Sequence, residues 1–509
     1  PLTNDRPLYN PCYAADPGQA VVATNCVSAK GGFGRSNTST INGNRQVQPR
    51  ASFNYSFDTE RMTQLRGGAG LFISNPPSVW LGNIYQNSGV TQVQYNCGPT
   101  QSACNNKGTN VLPPFSADPY GQNGGSAPIP GASGAQMAVS TISDDFRIPS
   151  VWKMSLGFDR ELPWWGVVFT ADYEHIKNRN AIWYQNLNIG APTNVLPDGR
   201  YTFYKNPAGG SSGNTARANA NPAFGDAVIN LANSSAGSAD SLSLALKKPF
   251  ADDWSGMVGF TWSRATEVNP GTSSVARSSY SNTVWVNPNE DKASTSSYSI
   301  PKRVIASLSW QHRFFGDYAT SVSGFYDGHS GAPYSWRFGN DANGDGFTSD
   351  LAYIPNKGDI NFTPSTTQAQ QDSFWQYIDS EKYLKDHKGE IASRNGARAP
   401  WINQIDLSFS QEIPGLFAGN KGMIRLDIYN VGNMLNKKWG VDHRASFPLV
   451  RNLADFAGVG PDGKAIYDIS KSAYKDASGN YSPLPLPRAD ELNGPTQRWS
   501  VLATVRYTF

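Results

Sequence analysis

The sequence predicts an all-β protein built as a transmembrane antiparallel β-barrel, and three observations carry that prediction. Apolar side chains recur at every second position through many segments. Those segments are joined alternately by short turns and by excursions of about forty to seventy-five residues. The chain also ends on such a segment, in which Trp499, Val501, Ala503, Val505, Tyr507 and Phe509 alternate with Ser500, Leu502, Thr504, Arg506 and Thr508.

In chain order, the first hairpin is Phe53, Tyr55 and Phe57, a turn through Asp58-Thr59-Glu60, and a return through Leu65, Gly67, Ala69 and Leu71. Trp152, Met154, Leu156 and Phe158 then precede Glu161-Leu162-Pro163, after which Val167, Phe169, Ala171 and Tyr173 lead back. Leu242, Leu244 and Leu246 pair with Trp254, Val258, Phe260 and Trp262 across a turn from Pro249 to Asp253. Val304, Ala306, Leu308 and Trp310 turn at Phe315-Gly316-Asp317 towards Val322, Gly324 and Tyr326. Ile405, Leu407 and Phe409 turn between Pro414 and Lys421 towards Ile424, Leu426 and Ile428. With the terminal segment this makes eleven strands. Expected lengths of nine to eleven residues suit a tilted strand crossing hydrocarbon, and Trp152, Trp254, Trp262, Trp310 and Trp499 fall where an aromatic girdle belongs. The long connections, about 74–149, 177–238, 329–401 and 431–497, are expected on the extracellular side.

Composition supports this reading and excludes others. The 509 residues carry 43 Lys+Arg against 40 Asp+Glu, a net charge of +3, which argues against a polybasic nucleic-acid binder. Only 16% of residues are charged while the mean hydropathy is −0.47, so polarity comes from Ser, Thr, Asn, Gln and Gly. Aromatic residues at 12%, with 49 Gly and 34 Pro, disfavour long helical bundles. No run of 18 apolar residues exists that could form a transmembrane helix. A soluble chain of this length would divide into about three domains, and the composition marks no boundary. The start at Pro1 lacks a basic and then apolar leader, so a targeting segment is expected upstream or already removed.

An odd count of eleven strands leaves the termini on opposite sides, whereas bacterial single-chain barrels have even counts. The expectation is therefore that residues 1–509 form the C-terminal portion of a larger barrel of about twice that number, with earlier strands upstream. Cys12 with Cys26 and Cys97 with Cys104 form two close pairs in Gly/Asn/Pro-rich surroundings, without CxxC spacing or a nearby His. Two local disulfides are the preferred reading, free thiols the alternative.

Several stretches resemble the Oar-like branch of TonB-dependent outer-membrane receptors. They include Arg50 to Tyr55, Leu65 to Phe72, Pro77 to Leu81, Arg147 to Lys153 and Asp427 to Trp439. The terminal Tyr507-Thr508-Phe509 is similar to the aromatic signal read by the barrel-assembly machinery, with Tyr507 and Phe509 as its aromatic positions. The resemblance implies a barrel of roughly 22 strands filled by an N-terminal plug, in the outer membrane of a Gram-negative bacterium. It also implies contact with the TonB complex through parts that precede this chain. An extracellular ligand, a peptide, glycan or metal chelate, would be taken up with energy from the inner membrane.

Candidate chemistry is sparse. Asp341-Ala342-Asn343-Gly344-Asp345-Gly346 matches the start of a calcium loop, with Ala352 at the twelfth position and Asp350 as a substitute ligand. A plain Asn/Gly/Asp turn is the alternative. Gly209-Gly210-Ser211-Ser212-Gly213 satisfies a nucleophile-elbow pattern without the strand and helix it requires, and reads as a loop. His175, His312, His329, His387 and His443 lack metal or catalytic spacing, so no enzyme activity is expected. Lys153, Asp159, Asp172, Glu174, Arg303, Asp406, Arg425, Asp427 and Arg506 face the lumen and form either a substrate path or pairs with one another or the plug. Residues 367–387 carry Phe374, Tyr377, Ile378 and Glu381 at helical spacing. Tyr85, Tyr120, Tyr184, Tyr334 and Trp336 could grip a ligand or build loop cores. Energised uptake is the leading function. An adhesion or surface-scaffold barrel is the alternative, and a soluble β-rich binding protein fits the composition but not the alternation of connections.

Overall fold

Eleven strands, each antiparallel to the next in sequence, form one continuous curved wall in the computed structural model. It describes residues 33–87, 117, 139–221, 227–470 and 498–509, apart from 34, 36–40, 42, 76–77, 207–208, 211–213 and 418. The wall strands are β1 (Arg50–Ser56), β2 (Thr63–Ile73), β3 (Ser150–Glu161), β4 (Val168–Asn186), β5 (Ser238–Ala251) and β6 (Trp254–Glu267). They continue as β7 (Lys302–Phe315), β8 (Tyr318–His329), β9 (Ile402–Pro414), β10 (Lys421–Tyr429) and β11 (Ser500–Thr508). The expected count is met, and each expected hairpin is present.

Register shows why the two-residue period matters. Phe53 opposes Gly67, which opposes Leu156, which opposes Tyr173, which opposes Leu242, which opposes Trp262. Farther round, Leu308 opposes Gly324, Gly324 opposes Leu407, Leu407 opposes Ile428 and Ile428 opposes Val501. Every apolar row thus lies on one face, because a strand's side chains alternate and each partner keeps the phase. Those side chains are left open: Val258 is 55% exposed, Leu308 55% and Val505 80%. In water such a face would be an aggregation surface; against acyl chains it is the natural solution. Trp499 and Val501, at 48% and 47%, are likewise exposed rather than buried in a water-soluble body.

The connections alternate without exception. Residues 57–62, 162–167, 252–253, 316–317 and 415–420 make the turns at one end, and 74–149, 187–237, 268–301, 330–401 and 430–499 link strands at the other. Two expectations need correction. Three turns have the expected five to ten residues, but 252–253 and 316–317 are tighter; in the first, Asp252 and Asp253 both adopt positive φ (53° and 67°), as a two-residue hairpin demands. Seven of the eleven strands are also longer than expected, up to the 19 residues of β4, whose far end leaves the apolar band and enters a folded cap.

That cap has cores of its own. Tyr334, Trp336, Phe338, Phe374, Tyr377, Ile378, Leu453, Phe456 and Tyr467 make the larger, together with Leu196 from a different connection. A five-stranded mixed sheet of Pro333–Phe338, Ile360–Phe362, Ala397–Arg398, Val450–Val459 and Ala465–Asp468 runs through it. The helical spacing in 367–387 is realised as α3 (Gln368–Ser380) and α4 (Lys382–Asp386); α1 (Ser78–Gln86) and α2 (Ala276–Ser281) lie elsewhere in the cap. A capping box starts α3, in which Thr367 Oγ1 accepts from the Gln370 amide while Gln370 Oε1 accepts from the Thr367 amide. Its Phe374, Tyr377 and Ile378 then turn into the core. No helix among the described residues is long and apolar enough to cross a membrane.

Candidate functional site: the lumenal wall and the loop cap

The inner face of the wall carries paired charge. Arg66 on β2 bridges Asp159 on β3 and Asp172 on β4, the second at 2.6 Å. Lys153 meets Glu174 at 2.6 Å, and Arg303 grips Asp327 through two nitrogens at 2.9 and 2.8 Å. Arg425 bonds Asp427 at 2.8 Å, while Asp406 accepts the Asn430 amide at 2.7 Å. Strand alternation puts all nine expected lumenal charges opposite the apolar rows. Lys153 and Glu174 answer each other across the ladder, Asp159, Asp172 and Arg303 answer Arg66 and Asp327 on nearby strands, and Arg425 and Asp427 pair along one strand. Sequence reading missed Arg66 and Asp327, although both sit at polar positions of alternating segments: Leu65-Arg66-Gly67 and Tyr326-Asp327-Gly328.

Above the wall, three long connections close around a cavity of about 290 Å³. Asp198 and Arg200 come from 187–237, Tyr353 and Asp359 from 330–401, and Phe456 and Lys464 from 430–499. Arg200 is fully buried; its Nε donates to Asp198 Oδ2 at 2.8 Å and its Nη2 to the Leu351 carbonyl at 2.6 Å. Its Nη1 has no hydrogen-bond partner and stands 3.6 Å from Asp350 Oδ1. Asp359 accepts from the Asn356 amide at 2.9 Å and from Tyr353 Oη at 2.8 Å, and these bonds, the amide's foremost, hold its carboxyl below the usual range. A mixed lining of two carboxylates, a guanidinium, an ammonium and aromatic rings suits a small polar ligand with an apolar part.

Asp350 links the cavity to the calcium-like turn. Asp341 accepts the Gly344 and Gly346 amides at 2.7 and 2.9 Å, Asn343 the Asp345 amide at 2.9 Å, Asp345 the Phe347 amide at 2.8 Å and Asp350 the Ala342 amide at 2.8 Å. Gly344 and Gly346 supply the positive φ this winding needs (80° and 90°). Burial pushes the Asp341 carboxyl up to about 6 and Asp350 to about 7; Asp345 is raised well above the usual range by burial and by its two acidic neighbours. Among the described residues no group of three or more His, Cys, Asp or Glu side chains is arranged to hold a metal ion. The carboxylates of this turn are instead satisfied by its own backbone.

The ligand-gripping aromatics are corrected by burial. Tyr184, Tyr334 and Trp336 are only 1%, 3% and 0% exposed, because a cap of this size must fill its own interior. Tyr120, Ser211, Ser212, Gly213 and the four cysteines Cys12, Cys26, Cys97 and Cys104 lie outside the described residues. At the strand ends, Tyr507 accepts at its hydroxyl from Asn420 Nδ2 at 2.9 Å, and Phe509 is 97% exposed.

A sequence profile described as "Outer membrane beta barrel domain" matches residues 4–438. The chain belongs to that family. As an outer membrane beta barrel domain it resides in the outer membrane of a Gram-negative bacterium, with its apolar face in lipid, its turns in the periplasm and its cap outside. Comparison with curated proteins finds no match. Among solved structures it is similar to the outer membrane transporter YddB from Escherichia coli, at 9% identity and a TM-score of 0.38, over 80% of this chain and 37% of that one. The chain thus spans well under half the length of that transporter.

Proposed function

We propose that this barrel domain is the C-terminal portion of a TonB-dependent, Oar-like receptor that takes up a small extracellular ligand with energy from the inner membrane. The observation that supports this reading is the cap: three long connections meet at one cavity above a wall whose inner face is lined with charge. Barrels that only anchor need no such chamber over a polar lumen. In this reading residues 1–509 supply wall and loops, while a plug and the TonB-contacting segment lie upstream. Barrel-assembly machinery would read Tyr507 and Phe509, and the protein performs no catalysis.

Calcium is the cation proposed for Asp341, Asn343, Asp345 and Asp350. Asp341, Asp345 and Asp350 are buried together, and the last two are raised further by their acidic neighbours, a strain that a cation would relieve; hard oxygen ligands suit this ion. When bound, calcium would favour the ionised carboxylates and fix the turn against the segment that carries Tyr204, whose hydroxyl donates to the Asp341 carbonyl at 2.6 Å. Terbium luminescence on the full receptor tests this, with Asp345→Asn expected to abolish the signal.

The uptake reading is tested by profiling which solutes cells deplete from their medium. Cells carrying the wild-type receptor should deplete a solute that cells with Arg200→Ala do not, and a protonophore should stop that depletion. Depletion that persists under the protonophore would exclude energised uptake. Loss of cell–surface attachment without any depletion would favour an adhesion barrel.

A further inference from the structure

The outer face of the wall is not uniformly apolar. On β6 the apolar band is framed by Trp254 and Trp262, eight residues and therefore about 26 Å apart along the strand. Trp254 stands at the periplasmic turn and Trp262 towards the cap. Immediately past Trp262 on the same face come Arg264 on β6, Lys177 and His175 on β4, and Asp240 on β5; Lys302 on β7 lies directly opposite Trp262. Register ties them together: Arg264 opposes Asp240 and Asp240 opposes His175.

Within this group Asp240 and His175 satisfy each other. Asp240 Oδ1 accepts from Tyr173 Oη and meets His175 Nδ1, both at 2.8 Å. Lys177, Arg264 and Lys302 are exposed and make no hydrogen bond or ion pair among the described residues. At the same height the inner face holds Lys153 with Glu174 and Arg303 with Asp327, each cation paired. The inner cations thus hold carboxylates directly, whereas outside, where the wall meets lipid headgroups rather than hydrocarbon, Arg264 feels Asp240 only through space and Lys177 and Lys302 meet no carboxylate among the described residues.

We propose that Lys177, Arg264 and Lys302 bind the phosphate groups of one lipid of the outer leaflet, whose acyl chains lie on the apolar rows below. Their strands, β4, β6 and β7, lie within three strand spacings, about 14 Å, and register sets Lys177 four residues, about 13 Å, farther along the wall than Lys302. The Lys177 and Lys302 backbones thus stand about 19 Å apart, and the long side chains, with Arg264 between them, converge on a headgroup with two phosphates. Asp240, held by Tyr173 and His175, keeps Arg264 extended along the rim. Continuity with the lipid-covered band and the sign of the free charge both favour a lipid phosphate over any other anion.

Native mass spectrometry of the full receptor in detergent, loaded with bisphosphorylated lipid A, tests the proposal. The wild type should retain one lipid. Lys177→Gln/Arg264→Gln/Lys302→Gln should lower retention on the order of a hundredfold, roughly fivefold per charge. Lys177→Arg/Lys302→Arg should preserve it, and heat-modifiable gel migration shows that each variant is folded. Dephosphorylated lipid A should bind the wild type no better than it binds the triple variant. Equal retention by triple variant and wild type overturns the site. Displacement of the lipid by inorganic phosphate at equal concentration would make it a site for a soluble anion and overturn the lipid assignment.

Discussion

Arg66 shows how a single side chain organises the inner wall. It reaches two carboxylates on two further strands, and it can do so because Gly157 lies between them: a Cβ there would fall 2.5 Å from Asp172 Oδ1 and 2.8 Å from the Arg66 guanidinium carbon. Arg66→Gln leaves Asp159 and Asp172 facing each other, and a loss on the order of 1 kcal/mol is expected in urea unfolding from lipid bilayers. Adding Asp172→Asn should restore part of it. The acidic turn gives a second prediction at this scale. Asp341 and Asp350, at about 6 and about 7, bind protons more tightly folded than unfolded. Their contribution to cap stability is therefore complete below the ordinary carboxylate range and is lost as pH rises through 6 to 7. In chelator, amide exchange across 341–350, taken relative to the intrinsic rate at each pH, should be faster at pH 8 than at pH 5, and a flat profile would exclude the shift. Calcium should slow it at pH 8.

Strands were legible in the sequence and loops were not, for one physical reason. A wall strand meets hydrocarbon on one side and a wet lumen on the other, so its alternation is written residue by residue, as in Leu242 to Leu246 or Ile424 to Ile428. The cap has no such two-sided environment. Tyr334 and Trp336 occupy adjacent-but-one positions of a short strand and both are buried, so spacing alone could not separate core from ligand contact. The cavity escaped notice because it joins residues as distant as Asp198 and Lys464. The same two-sidedness predicts opposite tolerance at neighbouring positions of β6. Val258 faces lipid and Met257 the lumen, since Val258 opposes Leu246 and Ala306 while Met257 opposes Lys247 and Ser307. Val258→Arg should cost about 2–4 kcal/mol in folding into phospholipid bilayers, whereas Met257→Arg should cost little. Equal costs would mean that the assigned faces are wrong.

For the whole molecule, the decisive quantity is the parity of the wall. β1 and β11 end the sheet, and every residue of β1 is exposed. Successive strands alternate in direction, so the first and last of eleven run the same way. They cannot close on each other as an antiparallel pair, and a two-fold pairing with a second copy about the barrel axis would again bring β1 and β11 together in parallel. An odd number of further strands closes both seams antiparallel and leaves no unpaired backbone in hydrocarbon, where each missing hydrogen bond costs several kcal/mol. The receptor reading places those strands upstream in the same polypeptide. A photo-reactive amino acid at Asn54 or at Arg506 in the full receptor should therefore cross-link to upstream segments of its own chain, as mapped by peptide mass spectrometry. Cross-links from Asn54 to β11, within one chain or between copies, would overturn this account of closure.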